Sequence, residues 1–175
     1  GDRRGQPVAP GRARLGSSSV HLHHRLGFHT MAKTSDSIDL ELSPADTWTA
    51  ASDLSRFDEW LVLHGGWRSP VPQPHELRKG LKVTSIVKVK GNPVRIDWVV
   101  DKYVEGSEVR LKGSGKGGIK VKLDLSVEPR SSGSTITFLV DLGGLPLMGP
   151  IGMATAKVVH GDLHTSLTTF QQKFG

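Results

Sequence analysis

The sequence predicts an α+β fold, in which a curved antiparallel sheet closes on one long C-terminal helix and two short helices follow the first strand. Three observations carry this. In IKVKLDLSVE, Ile119, Val121, Leu123, Leu125 and Val127 point one way, and Lys120, Lys122, Asp124, Ser126 and Glu128 the other. That period of two marks a strand with one buried face. From Gly149 to Phe174 the spacing turns helical, placing Ala156, Val159, Leu163, Leu167, Phe170 and Phe174 on one stripe. The links between successive strands are short turns, which suit antiparallel neighbours and not parallel crossovers. A single amphipathic helix must then cover the apolar sheet face.

Residues 1–33 are expected to form a disordered extension, of which 1–30 hold Gly, Pro, Ser, Arg and His without apolar period and Met31 looks like a natural start, leaving one domain over 34–175. The first strand shows its alternation from Ser37, at Ile38, Leu40 and Leu42. Ser43-Pro44 opens a helix to about Ser52, because serine caps the first amides and proline suits the first turn. A second short helix spans Ser55 to Leu61. Pro70, Pro72 and Pro74 then stiffen an extended loop. Strands follow at Leu81 to Lys90, Pro93 to Tyr103, Glu108 to Lys112, Ile119 to Glu128 and Thr135 to Leu142.

Composition narrows the function classes. There is no cysteine, hence no disulfide or thiol chemistry, and the cytoplasm is the default setting. No run approaches the ~20 apolar residues of a membrane span. Of the net charge of +6, +4 lies in the first thirty residues, where Arg3, Arg4, Arg12, Arg14 and Arg25 face only Asp2. The rest is nearly neutral, which argues against a nucleic-acid reader.

SDLSRFDEWL (52–61), SIVKVKG (85–91), GGIKVKL (117–123) and GPIGM (149–153), set in this order of elements, resemble the helix-grip fold of the START-like, SRPBCC superfamily. Within it they are similar to an actinobacterial group of polyketide cyclase/dehydrase-like proteins, one of which is the toxin of a type II toxin–antitoxin pair. The resemblance implies a hydrophobic small molecule as ligand and a small antitoxin protein as partner. Two alternatives stay open: a polyketide cyclase/aromatase-like enzyme working in the cavity, and a protein-interaction module. It brings no catalytic residue. A sheet gripped by one helix leaves an apolar space between them, for which Trp98, Phe138, Val140, Met153 and His160 are the lining candidates.

The remaining motifs point away from cofactors and metals. GSGKGG, Gly113 to Gly118, matches G-x-G-x-x-G, but it lies between the strands EVRLK and IKVKL instead of opening a helix. His160 and His164 stand four apart in HGDLH, where Gly161 takes the place of a zincin's glutamate. They read as a partly exposed pair near the border of the helical stripe. Gly161 and Gly152 read as packing glycines. Lys88, Lys90, Arg95, Lys112, Lys116, Lys120 and Lys122, interleaved with Asp97, Asp101 and Asp124, read as a solvated outer face of mixed charge.

Overall fold

The computed structural model describes residues 20–22 and 32–175; residues 1–19 and 23–31 of the expected extension lie outside the described residues. Its sheet has eight antiparallel strands in the order β1-β2-β8-β7-β6-β5-β4-β3. These are β1 (Val20–Leu22), β2 (Ala32–Leu40), β3 (His64–Trp67), β4 (Lys82–Val89), β5 (Asn92–Val104), β6 (Glu108–Gly115), β7 (Ile119–Pro129) and β8 (Ser134–Gly143). The helices are α1 (Pro44–Ala51), α2 (Phe57–Trp60) and α3 (Pro150–Phe174). Strands β3 to β8 form a meander, and β2 closes onto β8, pairing Thr34 with Val140 and Asp36 with Phe138. The sheet curls around α3, the helix-grip arrangement.

Local chemistry sets each boundary. Ser43 Oγ accepts a hydrogen bond from the Asp46 amide at 3.1 Å and Pro44 fills the first turn of α1. The second short helix divides into a 3-10 turn at Leu54–Arg56, capped by Asp53, and the single α-turn of α2. Two differences from expectation stand out. Strand β2 reaches back to Ala32, and its inward positions Thr34 and Asp36 are polar, so hydropathy alternation does not reveal them. β3 falls in HGGW, whose short glycine-rich run carries no strand pattern; it pairs with β4 at the sheet edge through a bulge at Gly65.

α3 runs parallel to β2 and is fastened along it. Thr34 Oγ1 lies 3.0 Å from His160 Nδ1, His164 Nδ1–H donates to Asp36 Oδ2 at 2.9 Å, and Gln171 Nε2 donates to the Asp39 carbonyl at 3.2 Å. Small residues line the approach: Ala156 is fully buried, Ala32 Cβ of β2 lies 3.9 Å from where a Cβ on Gly152 would sit, and that Cβ would also collide with the Leu147 carbonyl in the turn before α3. Gly161 differs from that packing role, since its missing Cβ faces open space and its helix cost of roughly 1 kcal/mol has no steric return.

The inward stripe of α3 is graded in size. Gly152, Thr155, Ala156 and Val159 form its N-terminal half, and Leu163, Leu167 and Phe170, all buried, its C-terminal half. Trp60 of α2 fills the C-terminal gap between helix and sheet, with its ring 5.1 Å from Phe170 and 6.3 Å from Phe138. Leu163, Leu167 and Phe170 share one core cluster with Leu125 and Phe138, while Leu123 packs at its margin. Leu167→Ala is expected to cost ~2–5 kcal/mol, against under ~0.5 kcal/mol for Lys120→Ala on the exposed face. Urea denaturation checks the pair, and equal small losses would refute these faces.

Candidate functional site

Above that packed half, the small residues of α3 leave a cavity of about 300 Å³ between helix and sheet, at the lower end of the ~300–1,000 Å³ usual for small-molecule sites. Its floor is the inward face of β4 to β8. Val87, Val94, Leu111, Ile119, Val121 and Leu123 face it and are only half-buried, because empty space replaces a packing partner. Val159 and Thr155 roof it from α3, and Leu54, Phe57 and Leu61 close one side.

Trp98 is the best-fixed wall. Its indole N–H donates to Ser85 Oγ on β4 at 2.9 Å, and its ring lies across Gly113 on β6. A Cβ at 113 would approach Ile96 Cγ2 to 2.5 Å and the Trp98 ring to 2.6 Å. Gly113 and Gly115, the first two glycines of GSGKGG, thus sit in strand β6 beneath Ile96 and Trp98. The later ones serve the turn: Gly117 and Gly118 have φ of 80° and 90°, in the left-handed region that favours glycine.

The structure places Trp98, Phe138 and Val140 in the lining. Met153 is on the solvent side of α3, 38% exposed, and His160 turns to Thr34 of β2, so neither lines the cavity. Their helical positions explain this: 153 and 160 flank the stripe of 152, 155, 156, 159 and 163 without joining it. Three lining residues carry no sequence signal for the role. His64 and Trp67 come from β3, and Trp67 Nε1 donates to the Leu54 carbonyl at 3.1 Å. Lys90, read as part of the outer face, occupies the β4–β5 turn at the cavity mouth beside Asn92.

Polarity in the cavity is sparse. Ser85 and Thr155 are engaged, the latter donating to the Ile151 carbonyl at 2.8 Å. Burial holds the His64 imidazole below its usual range, against the nearby Asp58 carboxylate, which pulls it back up. No carboxylate is among the lining residues. The most perturbed acid lies on the opposite, outer face. There burial and the neighbouring Glu108 push Asp124 up to about 6, while Arg110 donates to it at 3.1 Å. Nothing at the sequence level distinguishes Asp124 from other strand-face acids, since its shift arises across the β6–β7 pairing. Among the described residues no three His, Asp or Glu side chains converge as a metal site.

Gly113→Ala is expected to destabilise the fold by about 1–3 kcal/mol through overpacking and to shift the Trp98 emission. Denaturation and fluorescence check this, and an unchanged melt would mean the ring does not rest on residue 113.

Comparison with known proteins follows the same outline. A family model described as "Polyketide cyclase / dehydrase and lipid transport" matches residues 31–175. The chain is 46% identical over 144 residues to a Mycobacterium tuberculosis protein named Toxin Rv0910, covering 82% of this chain and 99% of that one. It is 41% identical over 145 residues to uncharacterized protein Rv1546 of the same organism, covering 83% and 100%. Among solved structures, a START superfamily protein from Mycobacterium smegmatis superposes with a TM-score of 0.59 at 15% identity, over 84% of this chain and 97% of that one. Ginseng major latex-like protein 151 from Panax ginseng does so with 0.61 at 10% identity, over 83% and 98%. At such identities the structures share the fold alone.

Proposed function

We propose that this chain, which belongs to the polyketide cyclase / dehydrase and lipid transport family, binds a hydrophobic small molecule in the cavity beneath the N-terminal half of α3. The observation that carries the reading is the apolar, partly open space itself, with two tryptophans in its wall. Occupying it would remove from water the half-buried faces of Val87, Leu111, Val121 and Leu123, at ~25 cal/mol per Å² of apolar surface. Binding is favoured over a cyclase-like reaction by the lining. With no carboxylate among the lining residues, the site offers one imidazole and one exposed lysine for acid–base work, and no acid paired with that base. Tryptophan emission is expected to shift on titration with tetradecanoate or pyrene, and Trp98→Phe to mute the shift. No response to either, together with no competition between them, would overturn the reading.

A second reading concerns the biological role of that binding, and the 46% identity to a relative named as a toxin favours it. Under it the protein is the toxin of a type II toxin–antitoxin pair, held in check by a small partner protein. Induced expression of the full chain is then expected to arrest growth, and co-expression of a small protein encoded beside it to relieve the arrest. Unimpeded growth at high expression removes this role and leaves the binding reading standing.

A further inference from the structure

We infer, resting on the ligand-binding reading, that the occupant is a single-chain amphiphile with an anionic head, the head held by Lys90 at the mouth and the chain running along the strands towards Trp98. Three observations converge on Lys90. It is the sole Lys or Arg among the residues lining the cavity, and it has no ion-pair partner among the described residues. It lines the cavity and is exposed to solvent, the combination expected of a lysine at an apolar–aqueous boundary. Its backbone has φ of 54°, the one positive value outside glycine among the described residues. A two-residue hairpin turn ahead of Gly91 favours asparagine, aspartate or glycine at that place, so the turn does not explain a lysine.

The surroundings agree in sign and in length. Lys88 and Arg95 flank the same turn on the other face of the sheet, without ion-pair partners among the described residues, and residues 82–95 contain no acid, so every charge on this hairpin end is positive, with the Asp58 carboxylate near His64 as the opposing charge. Inward from Lys90, polarity falls away along one line of the floor: Val87 and Val94, then Ser85 and Ile96, then Val83 and Trp98. Val89 to Val83 spans about 20 Å at the usual strand rise. A cation at one end of an apolar floor of that length matches an anion on an alkyl chain.

Calorimetry on the full chain with tetradecanoate, tetradecyl phosphate and tetradecanol tests this. Both anions are expected to bind more tightly than the alcohol. The ratio of the two anions tells a free fatty acid from a monoacyl phosphate as the source of the head. Lys90→Asn keeps the left-handed turn and removes the charge; it is expected to weaken both anions about fivefold and leave tetradecanol unchanged, with Lys90→Arg restoring the anions. Equal affinity of alcohol and anions for the native protein, or an equal loss of all three in Lys90→Asn, overturns the inference and leaves the cavity reading intact. Binding of none of the three removes both.

Discussion

Everything in the molecule depends on how α3 is held against β2. The helix is clasped along the strand by His160 to Thr34, His164 to Asp36 and Gln171 to the Asp39 carbonyl. Two buried polar side chains, Thr34 and Asp36, are spent on this inside the apolar face, and each is satisfied by a helix histidine. An unpartnered buried carboxylate would cost far more than a lost packing contact, so each clasp depends on both partners being present. With its line fixed, the helix cannot sink towards the sheet where its own side chains are small.

That fixed line turns a gradient of side-chain size into a cavity. At the C-terminal half, Leu163, Leu167 and Phe170 meet Trp60 and Phe138, and the space is full. At the N-terminal half, Thr155 and Val159 do not reach Val121 and Leu123, and the space stays open. A freely moving helix would collapse into the gap to recover dispersion contacts. The clasps and the Trp60 wedge prevent it.

The sheet makes a matching adjustment through glycine. Gly113 gives up a side chain so that Trp98 can lie flat across β6, with its N–H anchored on Ser85. The wall is therefore aromatic and its indole N–H is satisfied, and the remaining polar lining comes from the exposed Lys90 and Asn92 of the β4–β5 turn and the half-buried His64 of β3. The same glycines that mimic a nucleotide loop in the sequence serve as the seat of an apolar pocket.

Periodicity was enough to determine the layers of this protein. The strands from Lys82 onward, the stripe of Ala156, Val159, Leu163, Leu167 and Phe170, and the Ser43 cap are local patterns, and local steric and solvation rules decide them. Trp98, Phe138 and Val140 were legible as inward residues for the same reason. What only the tertiary structure decided is whatever depends on a partner distant in sequence. Thr34 and Asp36 look like surface residues until His160 and His164, over a hundred positions away, arrive beside them. β3 acquires its identity as a strand from β4, since HGGW has none of its own. Lys90 reads as one lysine of many on a polar face until the curl of the sheet sets its turn at the opening. A cavity is a mismatch between two surfaces, and each surface is written in a different part of the chain; their separation is fixed only when helix and sheet have docked.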